Sequence, residues 1–133
     1  MSEPKVDVVR RAADAWNRTD WEALQAIYAA DVVVVAPQQW PEAEGARGWE
    51  EWRLQIERLK ESWETERVEV DEIRALPDGR VVARFSWIAT GRASGAPAGV
   101  PMAAVYTVSS GQIERVEFFL NLDVALEASE GSE

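Results

Sequence analysis

The chain contains 133 residues with a mass of 14.9 kDa, which predicts one domain with a sizeable core. Hydrophobic residues make up 47% and charged residues 29%, as in ordinary folded proteins and unlike disordered chains. The 24 acidic residues against 14 basic ones give a net charge of -10. Because this charge repels nucleic-acid phosphates and anionic lipid headgroups, we expect neither nucleic acid nor a membrane as a partner.

Neither cysteine nor histidine occurs in the sequence. This excludes disulfides, thiolate nucleophiles, serine–histidine triads and metal sites built on cysteine or histidine. Catalysis would have to depend on Asp, Glu, Lys, Tyr, Arg and water. We therefore expect no metal and no cofactor.

The apolar runs are short. Val32–Pro37, one of the longest, is far shorter than a membrane-spanning helix. Met1–Lys5 leads directly into a helical pattern without the apolar segment of a signal peptide. The expected location is the cytoplasm.

Three helices are predicted in the first half of the chain. Apolar residues at helical spacing indicate the first over Val6–Asn17. Asp20 is a suitable N-cap for a second helix over Trp21–Ala30. The third is predicted over Trp49–Trp63, with apolar residues on one face and charged residues on the other.

Strands dominate the second half of the chain. An earlier β-branched run, Val32–Ala36, predicts a strand buried on both faces. Val68, Val70 and Ile73 indicate a strand with a bulge near Asp71–Glu72, because Ile73 is out of phase. The remaining predicted strands are Arg80–Gly91, Met102–Val108 and Ile113–Asn121, with a tight hairpin at Ser110-Gly111 between the last two.

These elements predict an α+β domain over residues 6–128, in which a curved mixed sheet wraps around three N-terminal helices and encloses a pocket. A last helical turn is expected at Asp123–Ala128. Residues 1–5 are predicted as an N-terminal tail and residues 129–133 as an acidic C-terminal tail.

Five short sequence segments, in this order, resemble the SnoaL-like branch of the nuclear transport factor 2-like superfamily. They are Asp20-Trp21-Glu22-Ala23-Leu24, Tyr28-Ala29-Ala30-Asp31-Val32, Gly48-Trp49, Gly111-Gln112-Ile113 and Asp123-Val124-Ala125-Leu126-Glu127. The resemblance covers Val6–Ala128. It implies a cone-shaped α+β barrel with an apolar pocket, usually assembled as a homodimer.

The resemblance also indicates where relatives place catalytic side chains. The Tyr and Asn of limonene epoxide hydrolases correspond to Val34 and Ala36, and their Arg and Asp to Phe85 and Trp87. The acid on the last strand of hydrolases and polyketide cyclases corresponds to Phe118. The histidine of cyclases corresponds to Val116. All these positions are apolar here, so they predict a hydrophobic lining without the usual acids.

The predicted ligand pocket combines these positions with aromatic and apolar helix residues. Trp16, Trp49, Trp52, Trp63 and Trp87 are compatible with an aromatic ligand cage, and the helix members equally with core packing. The predicted pocket residues are Trp16, Tyr28, Val34, Ala36, Trp52, Ile56, Phe85, Trp87, Val116 and Phe118.

Few polar residues compete for a catalytic role. Asp31, Glu117 and Tyr28 are the candidates near the expected pocket, and Asp31 is better explained as a structural residue at the end of the second helix.

Arg84, Ser86 and Thr90 alternate with the pocket positions and should point to the outer sheet face. Arg115 and Glu117 share that phase and are expected to pair across strands. Ser94-Gly95 is either a gate or a flexible hairpin connection.

Three functions remain open from the sequence. The first is a domain that binds a small hydrophobic molecule and lacks the catalytic acids of the family. The second is an isomerase, cyclase or hydrolase that uses an unrecognised acid on a hydrophobic small molecule. The third is a protein-interaction module, for which no sequence feature argues.

We further expect a homodimer through the outer sheet face, because both phases of Met102–Val108 and Ile113–Leu120 are rich in apolar residues.

Overall fold

The computed structural model describes residues 3–36, 45–91 and 97–120. Within these ranges it contains three helices and six strands. The helices are α1 (Glu3–Arg18), α2 (Trp21–Ile27) and α3 (Trp49–Glu61). The strands are β1 (Tyr28–Val35), β2 (Ala46–Arg47), β3 (Thr65–Ala75), β4 (Val81–Thr90), β5 (Pro97–Ser109) and β6 (Gln112–Phe119). The predicted order of helices and strands is confirmed, apart from the additional strand β2.

The strands form one open sheet in the order β2-β1-β6-β5-β4-β3. Strands β1 and β6 are parallel, and the other neighbours are antiparallel. The prediction of a mixed curved sheet is therefore confirmed, although the sheet does not close into a barrel. The core packs between the helices and one face of this sheet, with Leu24, Ile56 and Ile113 among its fully buried side chains.

Local chemistry explains several element boundaries. The Asp20 carboxylate accepts a hydrogen bond from the Ala23 N–H at 3.1 Å, which caps α2 as predicted. Ser110 and Gly111 both have positive φ, as a two-residue hairpin of type I′ requires. The register of β3 and β4 shifts between Val70 and Glu72, which confirms the predicted bulge.

The predicted end of the second helix is wrong. Tyr28–Ala30 belong to β1, which begins directly after Ile27. Tyr28 pairs with Ile113 of β6, so contacts with a strand distant in sequence override the helical preference of the two alanines. Asp31 is consequently an exposed residue of a strand and has no helix end to stabilise.

Other boundaries also differ from the prediction. Strand β1 has one fully buried phase, Val32 and Val34, while Val33 is only partly buried, so it is not buried on both faces. Helix α1 begins at Glu3, within the predicted tail, and β5 begins at Pro97, within the predicted loop. The two-residue strand β2, which pairs with β1, was not predicted. The predicted turn at Asp123–Ala128 and the acidic tail lie outside the described residues.

None of the described helices combines the length and the hydrophobicity that crossing a membrane requires.

Candidate functional site

A cavity of about 710 Å³ lies between α1, α3 and the inner face of the sheet. Helix α1 contributes one wall through Val9, Ala12, Ala13 and Trp16. Aromatic side chains provide much of the remaining surface, and none of the lining residues in the described ranges is an Asp or a Glu. The eight aromatic lining residues are Trp16, Tyr28, Trp52, Trp63, Phe85, Trp87, Tyr106 and Phe118.

Strand alternation directs side chains of β4 into the cavity. Ala83, Phe85 and Trp87 line it, whereas Arg84 is exposed and Ser86 partly buried, and neither is a lining residue. Successive side chains of a strand point to opposite faces, so the bulky residues share the inner face. Thr90 has the outward phase of Arg84 and also lies outside the lining.

Nine of the ten predicted pocket residues line this cavity. The exception is Val116, which is fully buried in the core at 0% exposure. Val116 lies between Val34 and Tyr106 across the sheet, and the side chains of these neighbours line the cavity. Ligand binding by any of these residues stays a prediction.

Several lining residues were missed by the sequence analysis. Tyr106 shares the phase of Met102 on β5 and lies opposite Val116, so strand alternation could have indicated it. Trp63 was considered only as a member of the aromatic cage. Helix α3 was predicted to extend to Trp63, and it ends at Glu61. Trp49, another proposed cage residue, does not line the cavity and stacks on Tyr28 with ring centroids 5.8 Å apart.

Three polar groups of the lining lie close together. The ring centroids of Tyr28 and Trp52 are 6.4 Å apart in an edge arrangement. Burial raises the pKa of Tyr28 to about 12, and the nearby indole N–H of Trp52 partly opposes this increase. Burial and the neighbouring Tyr28 also raise the pKa of Tyr106. Both phenols are therefore protonated at neutral pH.

The indole N–H of Trp52 is a special case among these groups. Its nitrogen is buried and has no acceptor at ordinary hydrogen-bonding distance and angle within the described part of the chain, and the Tyr28 oxygen is near enough only for a weak interaction. Buried polar groups are nearly always hydrogen-bonded, because an unpaired donor costs about 1–3 kcal/mol. The Trp52 nitrogen is thus the one buried side-chain polar atom among the described residues without a full hydrogen bond.

A buried carboxylate lies behind the cavity wall. The side chain of Glu66 on β3 is 3% exposed, and its Oε2 accepts hydrogen bonds from the indole N–H groups of Trp16 and Trp87 at 2.8 and 2.9 Å. Its Oε1 pairs with the ammonium of Lys60, which also donates to the Trp16 carbonyl at 2.8 Å. Both carboxylate oxygens are thus occupied, so Glu66 fixes two lining tryptophans and is not a free base. The sequence analysis did not identify it.

The other candidate acids do not reach the cavity. Asp31 is exposed on β1, and Glu117 has the outward phase of β6. The Glu117 carboxylate lies 3.6 Å from the Arg115 guanidinium on the same strand, so the expected pairing across strands is wrong. Of the three candidates, Tyr28 alone is a lining residue. Ser94-Gly95, the candidate gate, lies outside the described residues.

No group of three or more acidic side chains is arranged to hold a metal ion in residues 3–36, 45–91 and 97–120.

Comparison with known protein families identifies the family of this chain. The model of the SnoaL-like domain family matches residues 9–116. The chain belongs to the SnoaL-like family. This confirms the resemblance seen in the short sequence segments.

Solved structures agree with this assignment. A polyketide cyclase candidate from Xanthomonas campestris pv. campestris is 25% identical with a TM-score of 0.74, covering 94% of this chain and 96% of that one. A protein with a ketosteroid isomerase-like fold from Catenulispora acidiphila, in complex with trimethylamine, is 22% identical with a TM-score of 0.73, covering 86% and 85%. Bal32a, from a soil-derived mobile gene cassette, is 20% identical with a TM-score of 0.79, covering 88% of each chain. A search of curated proteins gives no match.

Proposed function

We propose that this SnoaL-like domain binds a small hydrophobic molecule in the cavity. The observation that carries the proposal is a cavity of about 710 Å³ lined by eight aromatic side chains, with no carboxylate among its described lining residues. Such a concave, largely apolar site with a few polar groups is typical of small-molecule binding. The trimethylamine complex of the Catenulispora protein supports small-molecule binding by this fold.

The lining favours neutral ligands over anionic ones. Burial of an apolar ring contributes about 25 cal/mol per Å², and stacking on an aromatic side chain such as Trp87 adds roughly 0.5–1.5 kcal/mol. An anionic ligand would lose its hydration without an opposite charge at the aromatic surface, which costs several kcal/mol. Arg58 is the one charged residue among the described lining residues, and it is itself exposed.

The positions implied by the family resemblance support binding without the usual catalytic acids. Val34, Ala36, Phe85, Trp87 and Phe118 all line the cavity, so the positions at which relatives place catalytic groups carry apolar side chains. Four of these side chains can neither transfer a proton nor donate a hydrogen bond, and the indole N–H of Trp87 already donates to Glu66.

An isomerase, cyclase or hydrolase acting on a hydrophobic molecule is the second candidate. The structure favours it through one observation, the presence of the Tyr28 phenol in the cavity lining. The cyclase description of the Xanthomonas structure points the same way. Turnover of a ketosteroid, an epoxide or a polyketide ester well above the buffer rate would establish this candidate. Rates equal to buffer are expected for the binding domain.

The binding proposal is tested by titrating the tryptophan emission with three probes, naphthalene, 2-naphthoate and tetramethylammonium. Naphthalene should change the emission at the lowest concentration, because it is neutral and aromatic. Trp87→Ala should remove most of the emission change and weaken naphthalene binding at least tenfold. Trp21→Phe is the matched control, since Trp21 lies outside the cavity lining and contacts Arg53. Binding of 2-naphthoate without binding of naphthalene, or unaltered naphthalene binding by Trp87→Ala, would contradict the proposal, and tetramethylammonium measures how well the aromatic lining accepts a cation.

A homodimer through the outer sheet face is part of the same proposal. Its support is the apolar outward phase of β5 and β6, which includes Val105 and Phe119. Val82, Ala103 and Val105 are already buried within the single chain, so Phe119 is the partly exposed aromatic residue that a second copy would cover. Light scattering at micromolar concentration should give about twice the mass of one chain, and the mass of one chain would exclude the dimer.

A further inference from the structure

A buried ion pair lies directly behind the aromatic wall of the cavity. The side chains of Glu66 on β3 and Lys60 on α3 are 3% and 14% exposed, and neither residue lines the cavity. Glu66 shares the inward phase of its strand with the lining residue Val68. Two apolar residues would serve stability equally well, since replacing a buried ion pair in this way is often neutral or stabilising. The role of the pair therefore lies in the groups that it holds.

One oxygen of the pair connects two walls of the cavity. Glu66 Oε2 accepts a hydrogen bond from the indole N–H of Trp16 on α1 at 2.8 Å and from that of Trp87 on β4 at 2.9 Å. Lys60 donates to the Trp16 carbonyl at 2.8 Å, and its ammonium lies 5.2 Å from the centre of the Trp16 ring. Both indoles line the cavity, so a hydrogen bond fixes the orientation of each in addition to packing.

Ring contacts in the cavity wall form two sets, and Glu66 connects them. In the first set, Trp87 packs edge-on against Trp63 with ring centroids 5.4 Å apart. In the second set, the rings of Trp16 and Trp52 are tilted against each other at 6.0 Å. The Glu66 carboxylate bonds one member of each set. Loss of this acceptor would therefore release indoles in both parts of the wall.

We propose that Glu66 is a positioning residue that determines the affinity and the shape selectivity of the cavity for flat aromatic ligands. The inference rests on the proposed function and adds a requirement on ligand shape to it. An indole that is already held in its binding orientation loses little conformational freedom when a ring stacks on it, so the ligand binds more tightly. A held indole also cannot turn aside for a thicker molecule, so a flat ring system is favoured over a partly saturated one.

The test compares two double variants that lack both charges of the pair. Lys60→Met/Glu66→Gln retains a carbonyl oxygen with two lone pairs, which can accept from both indoles. Lys60→Met/Glu66→Met has a side chain of similar length that offers only a weak sulfur acceptor. Neither variant leaves a buried charge without its partner, so they differ in the acceptor for the two indoles.

The probes are naphthalene, which is flat, and tetralin, in which one of the two rings is saturated. Equilibrium dialysis of the full chain gives the dissociation constant of each. Wild type and the glutamine variant should bind naphthalene within about threefold of each other and prefer it to tetralin at least about fivefold. The methionine variant should bind naphthalene about tenfold less tightly and lose the preference, because its indoles are free to turn.

Trp87→Phe provides a second route to the same result. It keeps an aromatic ring in the wall and removes the hydrogen bond to Glu66. It should reduce the preference for naphthalene over tetralin, as the methionine variant does, and it keeps the proposal falsifiable if the methionine variant does not fold.

Two further measurements separate positioning from a loss of stability. Exchange of indole N–H protons with solvent, followed by NMR on the ligand-free chain, should be slow for Trp16 and Trp87 in wild type and the glutamine variant, and much faster in the methionine variant. Asp20→Ala loses a helix cap outside the cavity lining and should bind both probes like wild type despite its lower stability.

The outcomes separate the two proposals. If naphthalene does not bind to wild type, the cavity has no such function, and the positioning role falls with it. If both double variants bind naphthalene like wild type, the binding function stands and the positioning role of Glu66 is wrong. Equal weakening in both double variants also overturns this role, because the charges and not the held indoles then determine the affinity.

Discussion

Glu66 and Trp52 are both buried polar side chains beside the same cavity, yet they differ in their partners. The Glu66 carboxylate receives two indole N–H groups and pairs with Lys60, so both of its oxygens are occupied. The Trp52 N–H has no acceptor at ordinary hydrogen-bonding distance and angle among the described residues, and only the Tyr28 oxygen lies near it. A saturated buried group holds the fold together, whereas an unpaired one beside a cavity is available to a ligand. The charged cluster of Glu66 and Lys60 is therefore a structural part of this site, and under the proposed function the neutral cluster of Tyr28, Trp52 and Tyr106 faces the ligand.

The largest effect is expected from Glu66→Ala. This change leaves two indole N–H groups and the Lys60 ammonium without their acceptor, and the side chain of Lys60 is only 14% exposed. Breaking a buried pair from one side costs about 3–5 kcal/mol, and we expect a loss of this size in the free energy of unfolding by urea denaturation.

Glu69→Ala is the matched control on the same strand. The Glu69 side chain is 53% exposed and pairs with Arg67 at 2.7 Å, so its loss should cost less than about 1 kcal/mol. If the two variants lost similar stability, the distinction between the saturated cluster and an ordinary surface pair would be wrong.

Alkaline pH should lower the stability of the fold through the ionisation of Tyr28. The pKa of Tyr28 is raised from 10.0 to about 12, so the unfolded chain loses this proton before the folded one. Stability from this group is complete below pH 10 and declines between pH 10 and 12, by roughly 2–3 kcal/mol at 1.36 kcal/mol per pKa unit. Urea denaturation of wild type and Tyr28→Phe across this range measures the difference, and the variant should show the smaller decline. Equal slopes would show that Tyr28 is not protected from ionisation.

A hydrogen-bonded carboxylate outside the cavity should also contribute to the free energy of unfolding. Asp20→Ala removes the acceptor of the Ala23 N–H at the start of α2, which should cost about 1 kcal/mol in thermal or urea unfolding. Asp20→Asn keeps an acceptor oxygen and should lose far less. A loss as large in the asparagine variant would mean that the charge, and not the hydrogen bond, stabilises this helix.

Asp31→Asn should have the smallest effect. The sequence placed Asp31 at a helix end, where its loss would cost about 1 kcal/mol or more. In the structure it is exposed on β1, so we expect a change within about 0.5 kcal/mol and no change in naphthalene binding. A large loss of stability would show that Asp31 has a partner of the kind first expected. A loss of binding alone would restore it as a candidate for the site.

The sequence by itself determined what depends on neighbours along the chain. The Asp20 cap, the Ser110-Gly111 hairpin and the bulge after Val70 each follow from the chemistry of a few adjacent residues. Strand alternation likewise placed Phe85 and Trp87 on one face of β4, where both line the cavity. The family resemblance then aligned these faces with a known fold and indicated Val34, Ala36 and Phe118.

Only the tertiary structure decided the polar chemistry of the site. Glu66 bonds Trp16 across 50 residues and Trp87 across 21, and no periodicity signals a contact of that kind. Tyr28 belongs to β1 and not to the predicted helix, because it pairs with the parallel strand β6. This pairing places its phenol in the cavity lining beside Trp52. Hydrogen-bond partners and strand partners are chosen among residues that the fold brings together in space. Local propensity therefore yields the framework of this protein, and long-range contacts decide which buried polar groups are paired and which are not.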